Sequence, residues 1–149
     1  MSNSEPASGR FAVRNRTRGT TLADQVRIAD TPASRLVGLL RETSLEPHEG
    51  LWIYPSQAVH TFGMRFPIDV AFLDRHRRIR RIYHELVPWR FTRLVWSARS
   101  VLELPAGVLA RSGTEVGDEL QFSLRENALG PEENDAAERD FALTAKDSE

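Results

Sequence analysis

The chain of 149 residues contains no cysteine. This absence excludes disulfide bonds, thiolate metal sites and a cysteine nucleophile, and it leaves the redox compartment undetermined. A domain of this length buries roughly two-thirds of the surface of its unfolded chain, so it needs no covalent cross-link. We therefore expect one domain that is stabilised by an apolar core.

Long apolar runs are also missing. No segment approaches the roughly 20 apolar residues of a membrane-spanning helix, and the first residues lack the apolar region of a signal peptide. We expect a soluble, cytoplasmic protein that does not contact a membrane. The net charge of −1 argues against a general nucleic-acid binder. The expected partner is an unidentified small molecule or protein, and the oligomeric state stays open.

The motifs of common catalytic and cofactor sites are absent. There is no glycine-rich nucleotide loop, no GxSxG elbow, no HExxH and no zinc-ligand spacing. His60 and Met64 resemble a soft metal-ligand pair. On an extended strand, however, they would lie about 13 Å apart, which is too far for one ion. We predict no metal and no cofactor.

The two ends of the chain differ in composition from its middle. Residues 1–10 are small and polar, and residues 125–149 carry eight acidic and three basic side chains. Segments with so few apolar residues cannot offset the entropy lost on ordering. The sequence therefore predicts a disordered lead over 1–10, a folded domain over 11–124, and a disordered acidic tail over 125–149.

Short segments with strand character recur between turn signals in the middle of the chain. This pattern favours a mainly β domain of sandwich or barrel type. Two short helices are expected. One begins after Asp30-Thr31-Pro32, where a capping side chain precedes a proline, and the other covers 106–112. The predicted strands are 11–18, 22–29, 51–54, 58–64, 68–74, 78–87, 100–104 and 119–124.

Several motifs together resemble one protein family. The most specific runs from His60 to Asp74 (HTFGMRFPIDVAFLD), and it is preceded by Thr31–Leu40 and Gly50–Ile53 and followed by Val101–Gly107. In this order they resemble the DUF192 family of small proteins of unknown function, over about two-thirds of the chain. The resemblance implies a compact, mainly β fold and implies no activity.

One segment gives conflicting signals. Within 78–87 the apolar residues Ile79, Ile82, Tyr83 and Leu86 have helical spacing, so periodicity alone favours a helix. The family resemblance implies a strand instead. We predict a strand for this segment on the strength of the resemblance.

A carboxylate interrupts the most apolar strand. Both faces of 68–73 are apolar except for Asp69, which indicates a central strand with one buried ionisable group. A buried carboxylate is hydrogen-bonded or paired, or else its pKa rises. The simplest interpretation is structural. Asp69 would accept backbone N–H groups at the 65–67 connection, and Arg35 would pair with Glu103.

A functional interpretation uses the same polar groups. We predict a non-enzymatic module that binds a small ligand or a partner in one pocket. The alternative is a hydrolase-like acid–base enzyme that uses His60, Asp69 and Glu103. Both require these three side chains to converge, and both fail if Asp69 and Glu103 lie on opposite faces of a sheet. The predicted site residues are Arg35, Trp52, His60, Phe62, Asp69 and Glu103.

The segment from Arg75 to Arg99 is basic. It contains eight arginines and one acidic residue, Glu85, with aromatic residues between them. Such a segment suits single-stranded nucleic acid or an acidic partner, if arginines such as Arg77, Arg78, Arg80 and Arg81 face the solvent. A solvated face of an arginine-rich chain is the alternative. We regard binding to nucleic acid as the lesser hypothesis.

Overall fold

The computed structural model describes residues 9–31, 34–35 and 43–125, which form a single seven-stranded sheet with one short helix. This confirms the predicted mainly β fold. None of the described helices is long and apolar enough to span a membrane. The elements are β1 (Arg10–Asn15), β2 (Thr20–Ala29), β3 (Glu49–Ile53), β4 (Ile68–Leu73), β5 (Ile79–Leu86), β6 (Ser100–Pro105), α1 (Val108–Arg111) and β7 (Leu120–Arg125).

The predicted helix after Pro32 lies largely outside the described residues, as do most of the predicted disordered ends. Its start is described. Ser34 and Arg35 are helical, and the Thr31 Oγ1 accepts the backbone N–H of Ser34 at 3.1 Å. This is the contact expected of an N-cap side chain.

The strand order is β5-β4-β6-β3-β2-β1-β7, and the two edge strands approach each other at one end. An isolated bridge joins Arg78 to Glu119. The Ile79 N–H donates to the Asp118 carbonyl, and the Leu120 N–H donates to the Arg77 carbonyl, both at 2.9 Å. The sheet is therefore curled into a partly closed barrel.

The barrel has two cores on opposite faces of the sheet. The concave core draws residues from all seven strands and from α1, including Val13, Trp52, Leu104 and Leu109. The convex core lies over the central strands and includes Leu51, Val70 and Val101. β4 is buried on both faces, as its sequence predicts.

Strand β5 resolves the conflicting signals of segment 78–87. It is a strand with two register shifts against β4, one beside Leu73 and one between Ile68 and Val70. Each shift adds a residue to β5, so its alternation of faces is interrupted twice. Ile79 and Ile82 therefore face the concave core, whereas Tyr83 and Leu86 face the convex core. The apparent helical period arises from these two bulges.

The predicted strand 58–64 is wrong. This segment belongs to a long connection, and its only β contact in the described chain is a bridge from His60 to Phe91. Residues 54–67 run beside residues 87–99, and hydrogen bonds such as Thr92 N–H to the Val59 carbonyl, 2.9 Å, hold the two together. We call these two segments the loop pair. The alternating pattern of this segment, which suggested a strand, corresponds to alternating burial. Val59 and Thr61 are buried, whereas His60 and Phe62 are more exposed.

Candidate functional site

Asp69 and Glu103 lie on opposite faces of the sheet. The β4–β6 register pairs Asp69 with Leu104 and Val70 with Glu103, and paired residues share a face. Asp69 is therefore on the concave face, and Glu103 is on the convex face opposite Leu51. This geometry contradicts the expectation that both carboxylates surround one pocket, for ligand binding or for acid–base catalysis.

Asp69 connects two elements that flank β4. Its Oδ1 accepts the backbone N–H of Glu85 at 2.9 Å, and its Oδ2 accepts that of Leu109 at 2.9 Å. Glu85 lies in a bulge of β5, and Leu109 lies in α1. Asp69 accepts backbone N–H groups, as the sequence predicts. The donors, however, are not in the 65–67 connection. Asp69 is fully buried and acts as an internal tie.

Glu103 is buried on the convex face. Among the described residues no side chain forms a hydrogen bond or an ion pair with it, so the expected pairing with Arg35 is wrong. Its neighbours on the convex face are Leu51, Val70 and Val101. Burial raises the pKa of Glu103 to about 8, because the charged form loses its hydration. Burial therefore favours the neutral form of Glu103.

His60 and Phe62 lie in the loop pair, away from both carboxylates. The Phe62 ring contacts Phe91 with centroids 4.3 Å apart and Trp89 with centroids 5.9 Å apart. The His60 ring lies 5.7 Å from Phe62. These residues form an exposed aromatic surface. The sequence did not predict this grouping around His60.

Trp52 lies in the concave core. Its ring stacks on Phe122 at 4.1 Å and meets the edge of Phe11 at 5.4 Å. Arg35 is half-buried at the start of the partly described helix. The six predicted site residues are therefore dispersed, and whether any of them contacts a ligand stays a prediction.

Trp52 lines a cleft at the end of the barrel that is opposite α1. The cleft has a volume of about 400 Å³, and it lies where β2 and β3 end, β6 begins and the β4–β5 hairpin turns. We call it the end cleft. Its lining combines apolar side chains with three guanidinium groups: Ile28, Trp52, Tyr54, Asp74, Arg75, Arg77, Arg99 and Ser100.

The β4–β5 hairpin positions Arg77 over the aromatic wall. Asp74 accepts three backbone hydrogen bonds: its carbonyl accepts the Arg77 N–H at 3.0 Å, and its Oδ1 accepts the His76 and Arg78 N–H groups. Arg77 closes this turn with φ at 61°, where glycine is normally preferred. Its guanidinium carbon lies 5.3 Å from the Trp52 centroid and 5.2 Å from that of Phe122.

Several polar groups of the end cleft have unused bonding capacity. The Trp52 Nε1–H is buried and has no acceptor among the described residues. In the described part of the chain, Arg75, Arg77 and Arg99 form no ion pair with a carboxylate. Asp74, the one carboxylate of the lining, is already bonded to the amides of its own turn. The cleft therefore presents positive charge to whatever enters it, and Trp52 in its lining keeps a buried N–H without an acceptor among the described residues.

The structure also bears on the hypotheses of nucleic-acid binding and of metal binding. Arg77, Arg78, Arg80 and Arg81 are all exposed, but Arg78 lies 3.9 Å from Glu119 and Arg81 lies over Tyr83. A nucleic-acid role for them stays a prediction. Within 9–31, 34–35 and 43–125, no three His, Asp or Glu side chains are placed to hold one metal ion.

Residues 13–122 match the sequence profile of the DUF192 family, described as "Uncharacterized ACR". A UPF0127 protein of Thermococcus sibiricus is 32% identical over 117 residues, which cover 75% of this chain and 75% of that protein. These relatives carry no stated function. The match confirms the resemblance found in the sequence motifs.

Two solved structures have a similar fold. A protein of unknown function from Novosphingobium aromaticivorans gives a TM-score of 0.66 at 24% identity, covering 78% of this chain and 89% of that one. A Sinorhizobium meliloti protein, described as a candidate transcription regulator, gives 0.64 at 27% identity, covering 76% and 92%. The first likeness shows the fold alone.

Proposed function

The chain belongs to the DUF192 family of uncharacterised proteins, and we propose from its own geometry that it is a module that binds a small organic anion in the end cleft. The ligand carries a carboxylate or phosphate group. Its remaining part is small and apolar enough to lie against Ile28 and Tyr54. This keeps the predicted class of function, a ligand-binding module, and moves the site.

The observation that carries the proposal is the unpartnered N–H of Trp52. A buried donor without an acceptor costs about 1–3 kcal/mol relative to a bonded one. Trp52 is 8% exposed, and the same ring lines the end cleft. An acceptor atom on a ligand would remove this penalty once the side chains that cover the N–H move aside on binding. The residue therefore favours a bound ligand with an oxygen at that position.

The charge of the lining favours an anion. Arg75, Arg77 and Arg99 line one cleft of about 400 Å³, a size typical of small-molecule sites. Guanidinium groups bind carboxylate and phosphate through paired hydrogen bonds. No carboxylate of the described chain neutralises them. An anionic group on the ligand is the chemistry that would pair with all three guanidinium groups.

The acid–base alternative has weaker support. It requires a carboxyl group and an imidazole within hydrogen-bond reach of one substrate. Asp69, Glu103 and His60 lie on the concave face, on the convex face and in the loop pair. A binding function needs no such convergence. The cytoplasmic location stays a prediction of the sequence.

A thermal-shift experiment tests the proposal. The probes are benzoate, succinate, citrate, glycerol 3-phosphate and adenosine monophosphate, with the matching uncharged benzamide, glycerol and adenosine. A ligand at about 100 times its Kd stabilises the folded state by about 2.7 kcal/mol. We expect at least one anion to raise the melting temperature and its uncharged counterpart to have no effect. Comparing the carboxylate probes with the phosphate probes shows which of the two anionic groups the cleft prefers.

Two variants locate the binding. Arg77→Gly removes a guanidinium of the cleft and leaves a residue suited to φ 61°, so the hairpin is retained. Arg80→Gln removes an equally exposed positive charge that does not line the cleft. The shift should disappear in the first variant and persist in the second. Equal shifts in both variants, or no shift with any anion, would reject the end cleft as the site.

A further inference from the structure

The loop pair concentrates the exposed apolar side chains. Eight large apolar residues are exposed in the described chain, and six of them lie in these two segments. Trp89, Phe91 and Trp96 are 65%, 71% and 79% exposed. A protein rarely exposes so many large apolar side chains in one region of its surface, here called the patch, unless something binds there. The six residues are Tyr54, Val87, Trp89, Phe91, Leu94 and Trp96.

The patch is held in place by hydrogen bonds. The buried Thr61 hydroxyl donates to the Val87 carbonyl at 2.8 Å and accepts the Arg90 N–H at 2.9 Å. The Trp89 N–H donates to the Thr61 carbonyl at 3.0 Å. Trp89 itself has φ at 65°, a conformation that is unfavourable for a large aromatic residue. These hydrogen bonds therefore fix the backbone that holds the exposed Trp89 side chain at the surface.

The patch is also positively charged. Residues 54–67 and 87–99 contain no Asp or Glu, and they contain Arg65, Arg90, Arg93 and Arg99. None of the four forms an ion pair within the described residues. The described residues as a whole hold 17 arginines against 11 carboxylic side chains, a net charge of +6. A binding partner should be acidic and carry apolar side chains.

We propose that the occupant of this surface is the chain's own segment 126–149. That segment has eight acidic and two basic side chains, a net charge of −6, and it includes Leu129, Phe141 and Leu143. It thus matches the surface both in charge and in apolar content. An external ligand of the loop pair would have to displace it. The loop pair shares Tyr54 and Arg99 with the end cleft, but the inference does not require a ligand there.

The connection permits this contact. Segment 126–149 follows β7 directly, and 24 residues can span up to about 80 Å when extended. A folded body of about 110 residues has a radius of gyration of about 13 Å. Every point of the body is therefore within reach. Because the two are covalently joined, even weak attraction acts at an effective concentration of the order of millimolar.

A spin label on the full chain tests the contact. The chain contains no cysteine, so Ser148→Cys accepts a nitroxide at a single position. At low salt the backbone amide signals of 87–97 should lose most of their intensity, and those of β1 and β2 should not. At about 1 M salt the Debye length falls to about 3 Å, and the intensities should recover. The reduced nitroxide gives the reference intensities.

Charge variants give the matched comparison. Arg90→Gln with Arg93→Gln should restore the signals of 87–97 at low salt. Arg80→Gln with Arg111→Gln removes the same charge from exposed positions outside the loop pair and should leave the effect intact. Loss of the effect in both pairs would mean attraction to the whole body and would overturn the proposed surface.

Mixing experiments separate the other occupants. Isotope-labelled chain without nitroxide, mixed with unlabelled chain that carries it, reports contact with a second copy. Broadening that appears mainly in this mixture overturns the intramolecular contact. A complete absence of broadening would also overturn it. The same holds if the amide signals of the loop pair change on adding an oligothymidine or phosphatidylserine vesicles but are not broadened by the nitroxide.

Discussion

Among the described residues, three other than glycine have φ in the left-handed region: Arg77 at 61°, Glu85 at 50° and Trp89 at 65°. This conformation costs an ordinary residue about 1–2 kcal/mol. Arg77 places its guanidinium over Trp52, Glu85 donates its N–H to Asp69, and Trp89 belongs to the aromatic surface. The strain therefore occurs where a particular contact requires that backbone conformation.

The tie made by Asp69 gives the first prediction. Asp69→Asn keeps one acceptor oxygen but turns an amide NH₂ toward one of the two backbone N–H donors. We expect a loss of about 1–3 kcal/mol of unfolding free energy, measured by urea denaturation. Asp74→Asn is the matched control. There the oxygen Oδ1 alone accepts both N–H groups, so Asn can keep both bonds. Equal losses in the two variants would contradict the assigned role of Asp69.

The buried acid Glu103 gives a prediction on pH. The folded chain holds its proton up to about pH 8, whereas the ordinary pKa is 4.5. Between these values the unfolded chain releases a proton that the folded chain keeps. The Glu103 contribution to stability is therefore full below about pH 4.5 and is lost as pH rises through about 8.

Glu103→Gln removes this titration, so the variant should gain stability relative to the parent as pH rises. The gain should approach about 1.4 kcal/mol per pH unit within that window. Urea denaturation at pH 5, 6, 7 and 8 measures it, and Glu46→Gln at an exposed position should show no such trend. A constant difference between parent and Glu103→Gln would show that the carboxyl is hydrated in the folded state.

At the scale of elements, the sequence predicts those strands and turns whose pattern is local. The predicted strands 11–18 and 22–29 correspond to the paired strands β1 and β2, and Gly19 lies in the turn between them with φ at 72°. α1 is closed by Gly113 at φ 66°. The continuous apolar run of β4 correctly indicates a strand buried on both faces. β5 is harder, since two bulges interrupt its alternation and only its pairing with β4 reveals them.

The contact between β3 and its neighbours gives an element-scale prediction. A Cβ at Gly50 would lie 3.0 Å from the Glu103 carbonyl oxygen, 3.1 Å from Leu104 Cδ2 and 3.2 Å from Val26 Cγ2. The nearest of these atoms is backbone and cannot move without shifting β6. We expect Gly50→Ala to destabilise the fold by about 1–3 kcal/mol. Thermal unfolding measures this. An unchanged melting temperature would mean that β2, β3 and β6 have room to separate.

At the scale of the whole molecule, partial closure of the barrel depends on a buried polar network. The Asn15 Nδ2 donates to Thr114 Oγ1 at 3.1 Å and to Asp118 Oδ2 at 2.9 Å. Arg18 Nε donates to the same Asp118 oxygen at 2.7 Å. Burial opposes ionisation of Asp118, but the hydrogen bonds from Arg18 and Asn15 outweigh it and lower its pKa. The network ties the β1–β2 turn to the segment before β7.

Removing the centre of this network should weaken the closure. Asn15→Ala leaves the buried Thr114 and Asp118 with fewer partners, and we expect a loss of about 1–3 kcal/mol in urea denaturation. Arg14→Ala, the neighbouring exposed position with one hydrogen bond to the Gly19 carbonyl, should lose clearly less. The opposite order would mean that the turn, and not the buried network, holds the two segments together.

The arrangement of the site is also a property of the whole molecule, which is why the sequence could predict only part of it. Trp52 is marked by its motif, and Asp69 by its apolar strand. Which face each carboxylate occupies depends on the β4–β6 register, where Val70 and not Asp69 lies opposite Glu103. The end cleft assembles Trp52, Arg77 and Arg99 from distant segments, and no local pattern links them.

The central claim, that an anion binds beside Trp52, is tested most directly by the indole N–H signals in a ¹H–¹⁵N spectrum. The chain has three tryptophans, so three signals are expected, and Trp52→Phe identifies the one from Trp52. Titration with the anion that raises the melting temperature should shift the Trp52 signal downfield as its N–H gains an acceptor. The signals of Trp89 and Trp96 should stay in place, and the shift should vanish in Arg77→Gly. A Trp52 signal that stays fixed while the anion stabilises the protein would contradict the claim.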